Sequence, residues 1–410
     1  MSIFKGTIQY MCVYGDCCMR MADIRKTAID VFRKYCPKWS ILRNSLNNIK
    51  LSSIRRKGIT VEDIKNGEKH PENRKDIVNK YIRSRRKELL HIWDVYNAYV
   101  KKYTISCCER NNDELKYNIL FYYLAYGFMP DEYFLFNLTR KTVEDAKSYL
   151  SDRDKELIAF SLNDIIDIGV FNDKFETYKV FWKYYKREAI CLTRKKDLES
   201  YLSFVNRHPV FVCKQTRLSK GNSVELVNIE NTVDAYAFFE EKIRTGQYIV
   251  EEVIQQSEKM KIMSLKSVNT VRIMTFNVGG NIKIGPCFFK AGRGTSFVDN
   301  GGAGGILVGI NNQSGILETN GFDEGMRTYE THPDTGVTFR GFMLPEWKDV
   351  INLARKLSAL VPSIKYIGWD FAHTDQGWIV VEGNGSGQFI VPQIVWQRGF
   401  REDIERLVQA

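Results

Sequence analysis

The sequence predicts an α+β fold in which a helical N-terminal region precedes a strand-rich region. Up to about residue 187, apolar residues recur mainly at helical spacing. From about residue 188, short apolar runs alternate with turn residues, as in β-strands. Near the C-terminus, the stretch Tyr366–Gly387 has the pattern of two strands joined by a polar turn. These patterns predict helices first and antiparallel strands afterwards.

The C-terminal hairpin carries the residues that point most directly to chemistry. Its first strand contains Asp370, and its second strand delivers Glu382 and Asn384 into a Gly-rich loop. In an antiparallel pair, Asp370 and Glu382 can lie opposite one another, with Asn384 on the same face. Three such oxygen ligands suit Mg²⁺ that is also bound to substrate phosphates. An acidic surface hairpin explains the same residues equally well, so this stretch alone leaves both interpretations open.

Length and composition predict a globular protein with more than one domain. The 410 residues include 44% hydrophobic and 13% aromatic residues, which argues against disorder. No apolar run approaches the ~18 residues of a transmembrane helix. The apolar core near the N-terminus is too short for a convincing signal peptide, and nine scattered cysteines suit reduced thiols. We therefore expect a cytoplasmic protein.

The net charge of +11 favours anionic partners. Basic residues concentrate at Arg55–Lys57 and Arg83–Lys87. Such runs suit nucleic acid, an anionic membrane surface or phosphate-bearing substrates, but they are also common on solvated helix faces. No nucleic-acid recognition motif accompanies them, which argues against a nucleic-acid partner and leaves a peripheral anionic-surface contact open.

The helical region carries few other chemical signals. Pro71 opens a basic and apolar helix that is expected to continue to about Lys102. Cys12, Cys17 and Cys18 lie close together, but no second pair at metal-binding spacing accompanies them, which argues against zinc. Further helices are predicted at 115–126, 142–150, 152–163 and 174–186.

Two lysines occupy positions that suit anion binding. Lys174 lies in the first turn of a predicted helix, where the helix dipole favours an acid instead. Lys214 ends an apolar strand at the edge of a loop. Small polar residues in that loop can bring backbone N–H groups to phosphates, although a plain hairpin turn explains them equally well. The loop residues are Ser219, Lys220, Gly221, Asn222 and Ser223.

Carboxylates and arginines follow in the next strands. An apolar strand carries Glu251 and Glu252, and Glu258 follows a polar turn. A strand beside a cleft can pair with an adenine edge, and a carboxylate just beyond it can bind ribose hydroxyls. Arg272 lies within the next apolar run and needs an anion or an acidic partner. Arg293 begins the most Gly-dense stretch of the chain, which suits close approach to a ligand.

The order of these residues resembles the ATP-grasp superfamily, and more narrowly its sugar-transfer-associated branch, which occurs beside surface-polysaccharide genes. The resemblance covers roughly residues 125 to 410. Each phrase is weak alone, and the combination is specific. The phrases similar to that branch are Asn269–Arg272, Asp299–Asn300, His332–Gly336, Leu344–Trp347 and Gly368–Asp370.

The resemblance implies an ATP-grasp fold, in which two α+β subdomains grip ATP, preceded by a helical N-terminal region. The implied domains are a helical basic region at 1–120, a helical segment at 121–187, a small subdomain at 188–260 and a large subdomain at 261–410. The small subdomain would supply the nucleotide lid and hinge, and the large subdomain would supply the metal site.

The resemblance also implies a role for each candidate residue. Lys174 and Lys214 would hold the phosphates of ATP, and the loop from Ser219 to Ser223 would cover them. Arg272 and Arg293 would steady an acyl phosphate and its tetrahedral adduct. The implied metal ligands, for one or two Mg²⁺ ions with Mn²⁺ as an alternative, are Asp370, Glu382 and Asn384. The implied adenine and ribose contacts are Glu251, Glu252, Val253, Ile254 and Glu258.

Two departures from the superfamily pattern concern the acceptor and oxyanion sites. Many ligases follow the metal-binding Asn with Pro, whereas this chain continues Asn384-Gly-Ser-Gly. Many members carry an Arg two positions before the metal-binding Asp, whereas this chain has Gly368. The oxyanion role would therefore fall to Arg272 or Arg293.

The implied function is an ATP-dependent carboxylate–amine ligase that forms an amide through an acyl phosphate. Its partners would be ATP and small carboxylate and amine substrates, with a surface-polysaccharide precursor as one substrate. Two alternatives stay open. The same fold can transfer phosphate to a sugar or a carboxylate without ligation. A basic nucleic-acid or membrane-surface binder would instead use the early Arg and Lys runs.

Overall fold

The computed structural model describes residues 39–55, 58–103, 113–217, 224–229, 234–295, 299 and 304–409. The chain divides into two units, Met1–Ile49 and Lys50–Ala410. Within the first unit, the described part is helical. The second unit contains both sheets and the candidate site. Among the helices of the described ranges, no segment combines the length and apolar character needed to cross a membrane.

Helices occupy most of the described chain before residue 186, as the sequence predicted. Short 3₁₀ turns separate several of them. Side chains of Thr142 and Ser151 accept hydrogen bonds from the backbone at two of the helix starts, and Pro130 occupies the first turn of another. The helices are α1 (Trp39–Arg55), α2 (Val61–Lys69), α3 (Arg74–Tyr103), α4 (Asp113–Tyr126), α5 (Pro130–Leu135), α6 (Val143–Lys147), α7 (Asp152–Leu162) and α8 (Lys174–Tyr185).

An aromatic-rich core holds helices α3, α4 and α5 together. Helix α4 is apolar on most of its surface, and Ile119, Phe121 and Leu124 are fully buried. Gly67 of α2 allows close approach to this core, because a Cβ at that position would lie 2.3 Å from the ring of Phe121. Burial of these aromatic side chains removes large apolar areas from water and stabilises the helical region.

A small antiparallel sheet follows the helical region. Its strand order is β1-β4-β2-β3. Helices α9 and α10 pack on the sheet through Tyr201, Phe204 and Phe239, which are fully buried. The elements are β1 (Ala189–Leu192), α9 (Leu198–Arg207), β2 (Val210–Gln215), β3 (Val224–Asn228), α10 (Ala235–Thr245), β4 (Tyr248–Glu252) and the short helix α11 (Glu258–Lys261).

A larger antiparallel sheet forms the C-terminal half, in the order β11-β10-β5-β6-β7-β8-β9. Trp369 and Phe371 on β10 are fully buried and belong to the same core as α12. The elements are β5 (Thr270–Val278), β6 (Asn281–Ala291), β7 (Ile306–Ile310), β8 (Gly321–Phe322), β9 (Thr328–Tyr329), α12 (Trp347–Ala359), β10 (Tyr366–Thr374), β11 (Gly377–Asn384), α13 (Ile390–Trp396) and α14 (Arg401–Val408). In the sequence, the strands of the small sheet all precede residue 260, and those of the larger sheet all follow it. The subdomain limits at 188–260 and 261–410 stay predictions.

A buried carboxyl group in helix α5 makes the helical region sensitive to pH. Glu132 is fully buried, and its Oε2 accepts a hydrogen bond of 2.7 Å from the Met129 backbone N–H. Its Oε1 has no hydrogen-bond partner among the described residues. Burial, with a smaller contribution from the adjacent Asp131, raises the pKa of Glu132 well above its usual 4.5. Ionisation of Glu132 therefore opposes folding as the pH rises.

We expect Glu132→Gln to stabilise the protein increasingly with pH. The raised pKa means that protonated Glu132 favours the folded state at low pH, and this contribution is lost as the pH rises through the folded-state pKa. The amide cannot ionise, so the thermal midpoint of the variant relative to wild type should increase between about pH 5 and about pH 8. Circular dichroism at both pH values measures it. Glu144→Gln, at a side chain that is 82% exposed, is the control and should show no such increase.

Candidate active site

Asp370 lies at the centre of the candidate site, on strand β10 between β5 and β11. Its residue partners across the sheet are Arg272 on β5 and Glu382 on β11. Arg272 binds Asp370 through both carboxylate oxygens, with Nε–Oδ1 at 2.5 Å and Nη2–Oδ2 at 2.6 Å. The prediction that Asp370 and Glu382 lie opposite one another is confirmed. Arg272, predicted from its place in an apolar run, has the acidic partner that this position requires.

Lys290 is a part of this cluster that the sequence analysis missed. It lies near the end of β6, and its Nζ is 3.1 Å from Asp370 Oδ2. The same signal that identified Lys214, a cation at the end of an apolar strand, was present at Lys290. Asp299 adds a second nearby carboxylate and accepts a hydrogen bond from the Thr270 hydroxyl. The cluster therefore pairs two buried cations with neighbouring acids.

The pKa shifts in this cluster favour the ionised form of Asp370 and the protonated forms of Lys290 and Arg272. Burial opposes ionisation of Asp370, but Arg272 and Lys290 outweigh it and hold the pKa of Asp370 far below its usual 3.8. Burial would lower the pKa of Lys290, but Asp299 and Asp370 raise it above 10.5. Burial likewise opposes the charge of Arg272, but Asp370 raises the pKa of Arg272 above its usual value. Both cations therefore stay protonated at neutral pH.

Glu382 and Asn384 complete the predicted metal set on β11. Asn384 Nδ2 donates to Glu382 Oε1 at 3.3 Å and approaches the Gly368 carbonyl oxygen at 3.5 Å. The side chain of Glu382 is 42% exposed and lies 3.9 Å from Arg272 Nη2. Within the described ranges, no three His, Cys, Asp or Glu side chains gather as a metal site. The predicted set instead combines two carboxylates with an amide.

These donors fit a Mg²⁺ ion that is shared with substrate phosphates. A carboxylate group has about four acceptor positions, and Asp370 uses three of them for Arg272 and Lys290. Glu382 is accessible, and its Oε2 forms no hydrogen bond or ion pair with a described residue. Mg²⁺ commonly takes one or two carboxylates and completes its coordination with waters and phosphates, which suits this partly occupied set.

The two predicted phosphate-binding lysines lie at the edge of the small sheet. Lys174 is the first residue of α8, and its Nζ is 3.3 Å from the Gln215 carbonyl oxygen. Burial lowers the pKa of Lys174, and the other charges acting on it include Glu382 and Lys214. Asp173 caps the helix, so Lys174 is not needed to stabilise its N-terminus. The structure thus brings Lys174, Lys214 and Glu382 into one electrostatic environment.

Glu251 is held between two cations. Lys214 Nζ lies 3.2 Å from Glu251 Oε2, and the Arg187 guanidinium contacts the same oxygen at 2.8 and 3.0 Å. Burial opposes ionisation, but these two cations lower the pKa of Glu251 to about 2. The predicted adenine contact is therefore a buried ion-pair partner in this structure. A contact from this segment to an adenine base would therefore come from backbone groups after Glu252, and not from the Glu251 side chain.

Arg187 is the second residue that the sequence analysis missed. It is buried just before β1, and it also donates hydrogen bonds to the carbonyl oxygens of Val380 (2.6 Å) and Val381 (3.3 Å) on β11. A lone Arg next to a strand gave no signal of this role. Its contacts tie Glu251 of the small sheet to the strand that carries Glu382.

The predicted hinge, Val253 and Ile254, directly follows β4 and has backbone groups that can bind a ligand. Glu252 Oε2 accepts a hydrogen bond from the Glu188 backbone N–H at 3.2 Å. Val253 and Ile254 form no backbone hydrogen bond with any residue that the structure describes, so their N–H and C=O groups are available to a ligand. Glu258 is exposed at the start of α11 and pairs with Lys261 at 2.5 Å.

Arg293 belongs to a different network. It contacts the Tyr329 hydroxyl, and its Nη2 lies 3.0 Å from Asp323 Oδ2. The structure does not pair Arg293 with Asp370, unlike Arg272. His332 braces the same segment, because its Nε2 lies 2.8 Å from the Gly292 carbonyl oxygen. The predicted loop at Ser219, Lys220, Gly221, Asn222 and Ser223, Asn300, and the cysteines at positions 12, 17, 18, 36, 107 and 108 lie outside the described residues.

His373 has a structural position beside the hairpin. Its Nδ1 is 2.7 Å from Ser257 Oγ, and its Nε2 is 3.2 Å from Glu346 Oε2. This Ser-His-Glu order does not make a nucleophile site, because Ser257 is buried at the start of α11. The contacts join the segment after the hinge to strand β10.

Part of the chain is similar to known proteins. The family model for sugar-transfer associated ATP-grasp proteins matches residues 205–409, half of the chain. No curated protein matches the sequence. Solved structures that are similar include a D-alanine–D-alanine ligase from Coxiella burnetii, with 13% identity, a TM-score of 0.36, and coverage of 60% of this chain and 58% of that protein.

Two further solved structures show similar values. The VanG D-Ala:D-Ser ligase from Enterococcus faecalis has 12% identity and a TM-score of 0.39, over 60% of this chain and 64% of that one. An ADP complex of N5-carboxyaminoimidazole ribonucleotide synthetase has 10% identity and a TM-score of 0.35, over 54% of this chain and 46% of that one. The chain thus spans about half to two thirds of the length of these proteins.

The family match includes most of the candidate site. Residues 205–409 contain Lys214, the hinge, Arg272 and the three predicted metal ligands. Lys174 and Arg187 lie before the matched range, and the fold joins them to it through Gln215 and Glu251. On the match across half of its length, this chain belongs to the sugar-transfer associated ATP-grasp family.

Proposed function

We propose that this protein is an ATP-dependent carboxylate–amine ligase that forms an amide through an acyl phosphate. The observation that carries the proposal is a chain of contacts: Lys174 meets the carbonyl of Gln215, the residue after Lys214. Lys214 then contacts Glu251, whose partner Arg187 binds β11, the strand that carries Glu382. Cations on one side and carboxylates on the other suit a nucleotide triphosphate bound together with Mg²⁺. The family of the chain supports ATP as the nucleotide.

ATP binding in this proposal uses the two lysines and the hinge. Lys174 and Lys214 neutralise the phosphates, and burial of Lys174 strengthens its interaction with an anion. The unpaired backbone groups of Val253 and Ile254 pair with the adenine edge, and Glu258 accepts from ribose hydroxyls after releasing Lys261. Arg187 keeps Glu251 ionised, so that Glu251 fixes the position of Lys214.

The metal site in this proposal consists of Asp370, Glu382 and Asn384. When bound, Mg²⁺ supplies neutralisation of the phosphate charge during transfer. Arg272 and Lys290 hold the Asp370 carboxylate in one orientation and keep it ionised. Glu382 stays accessible because its neighbours leave one of its oxygens open.

The reaction proceeds in two displacements. A substrate carboxylate oxygen attacks the γ-phosphorus of ATP, the bond to the bridging oxygen of the β-phosphate breaks, and ADP leaves. The amine nitrogen then attacks the acyl carbon, the carbon–oxygen bond to phosphate breaks, and the amine loses a proton. Positioning and charge stabilisation by Lys and Arg side chains account for the catalysis, and no protein nucleophile is needed.

Gly368 supports Arg272, instead of Arg293, as the oxyanion residue. A Cβ at position 368 would lie 3.4 Å from both Cδ and Nη1 of Arg272, an ordinary van der Waals contact, and 3.3 Å from Gly387 Cα, so the Arg272 guanidinium lies directly beside this position. Nη1 makes no hydrogen bond to any residue in the described ranges, while Nε and Nη2 bind Asp370. We infer that Arg272 Nη1 donates a hydrogen bond to the oxyanion of the tetrahedral adduct. Arg272 extends from β5, whereas many superfamily members carry the corresponding Arg on the strand of the metal-binding Asp, which is β10 here.

The substrate proposal follows the family. A carboxylate or amine on a surface-polysaccharide precursor, joined to an amino acid, is consistent with the sugar-transfer association of these proteins. A screen that measures ADP release across amino acids and nucleotide-sugar uronates tests it. ADP release that needs both a carboxylate and an amine supports ligation. Release with a sugar alone would instead indicate phosphate transfer, and no release with any pair would contradict the proposal.

Glu382→Gln should lower ADP release by about 100-fold or more, because one carboxylate of the metal site is lost. The fold should persist, since the side chain is 42% exposed and its cationic neighbour is 3.9 Å away. Turnover at saturating substrates and circular dichroism measure the two effects. Asp375→Asn, in the turn of the same hairpin, is the matched control and should keep wild-type turnover. Equal activity of both variants would reject the metal assignment.

Lys214→Ala should weaken ADP binding roughly ten- to hundred-fold, the effect of losing a charge-assisted hydrogen bond. Arg187 still neutralises Glu251 in this variant, so the small sheet should stay folded. Titration calorimetry with ADP and Mg²⁺ measures the affinity. Lys196→Ala removes an exposed lysine elsewhere in the 188–260 segment and should bind normally. An unchanged affinity in Lys214→Ala would exclude the phosphate role.

Arg272→Ala should reduce turnover by about 100-fold or more, and adding Gly368→Arg should restore part of it. Truncation of Arg272 opens the space beside position 368, and a new guanidinium there lies on the same strand face as Asp370. The readout is the kcat of amide formation, with thermal unfolding to monitor the loss of the buried ion pair. A double variant with a wild-type melting temperature and no recovered turnover would count against the oxyanion role.

A further inference from the structure

The fold brings Arg55, the described residue of the first basic run, close to the second run at Arg83–Lys87; Arg56 and Lys57 lie outside the described residues. Helix α3 has non-helical backbone angles at Arg85, whose Nη2 donates to the Gly58 carbonyl oxygen at 2.7 Å. The Gly58 N–H donates to the Arg55 carbonyl oxygen at 3.3 Å. The end of α1 therefore lies beside the middle of α3. We call the exposed residues Arg55, Arg83, Arg86 and Lys87 the basic patch.

The basic patch is not neutralised within the described part of the chain. None of its four residues forms an ion pair with a described residue. Two acids close to the patch in the sequence have other partners: Asp63 pairs with Lys80 at 2.9 Å, and Glu88 accepts from the Tyr123 hydroxyl at 2.6 Å.

A further cation lies next to the patch. Arg153 Nη1 lies 3.7 Å from where a Cβ on Gly58 would be. Burial, and to a smaller extent the charge of Arg85, lower the pKa of Arg153. Like charges gathered in this way repel one another, and an anionic partner offsets that repulsion.

The surroundings of the patch favour a lipid surface over a nucleic acid. Val61 is 68% exposed at the start of α2, and Leu90 is 53% exposed one turn beyond Lys87. Sites for single-stranded nucleic acid instead use open aromatic platforms on which the bases stack. Here the nearby Trp93 is stacked on Tyr96 with centroids 4.3 Å apart, and Tyr81 donates to Asp63. Exposed aliphatic side chains beside cations suit the interface between headgroups and acyl chains.

We propose that the basic patch docks this protein on an anionic lipid surface. Its cations pair with phosphate or carboxylate headgroups, and Val61 and Leu90 enter the interface beside them. The contact is peripheral and depends on salt, because the attraction is screened within a Debye length of the surface. The proposal does not rest on the ligase activity, since no residue of the patch belongs to the candidate active site.

Sedimentation of the full chain with vesicles tests the proposal. Wild type should bind vesicles of phosphatidylcholine mixed with phosphatidylserine, and should not bind phosphatidylcholine alone. The triple variant Arg83→Gln, Arg86→Gln and Lys87→Gln should bind about 100-fold more weakly, since each cation near such a surface contributes a factor of about five. The charge-matched control replaces three exposed cations near β1, Arg194→Gln, Lys195→Gln and Lys196→Gln, and should bind as wild type does.

Further measurements separate the alternatives. Leu90→Ser should weaken vesicle binding without changing its salt dependence, because it removes an apolar contact and no charge. Equal weakening in both triple variants would mean that net charge alone drives binding, and this would overturn the proposal. Tighter binding to single-stranded RNA than to the anionic vesicles would also overturn it. If the triple variant fails to fold, the single variants Arg83→Gln and Lys87→Gln decide the matter: each should bind about fivefold more weakly than Arg194→Gln, and equal binding would overturn the proposal.

Discussion

The buried ion pair between Arg272 and Asp370 is the interaction on which the candidate site depends. Removing charged groups from water costs several kcal/mol for each ion, so such a pair persists only with close geometry and further partners. Asp370 has both, through two guanidinium contacts and Lys290. Because its two neighbouring strands supply Arg272 and Glu382, the register of β5, β10 and β11 determines the geometry of the site.

A second buried pair connects this cluster with the small sheet. Arg187 contacts Glu251 and also the backbone of β11, and Glu251 contacts Lys214. A displacement of the small sheet would therefore disturb Lys214 and the strand carrying Glu382 together. In the proposed function, Arg187 gives the phosphate-binding side and the metal-binding side of the nucleotide site a common support. The predicted hinge residues Val253 and Ile254 directly follow β4, the strand that carries Glu251.

Much of the architecture could be predicted from the sequence, because its signals are local. The change from helical to strand periodicity near residue 188 and the hairpin around Asp370 agree with the structure. Lys290 carried the same local signal as Lys214 and was overlooked. Arg187 carried none, since its partners are the side chain of Glu251 and two carbonyl groups about 190 residues away. The role of Arg293 could not be separated from that of Arg272 by sequence spacing.

The sequence by itself determined the family, the elements and the alignment of Asp370 with Glu382, since each rests on short-range periodicity or on motif order. Only the tertiary structure decided which cations meet which acids. Arg272 and Asp370 are 98 residues apart, and strand pairing brings them to 2.5 Å. Gly368 illustrates the reason. In the sequence it marks a missing arginine, whereas in the folded sheet the Arg272 side chain extends from the neighbouring strand to lie beside it.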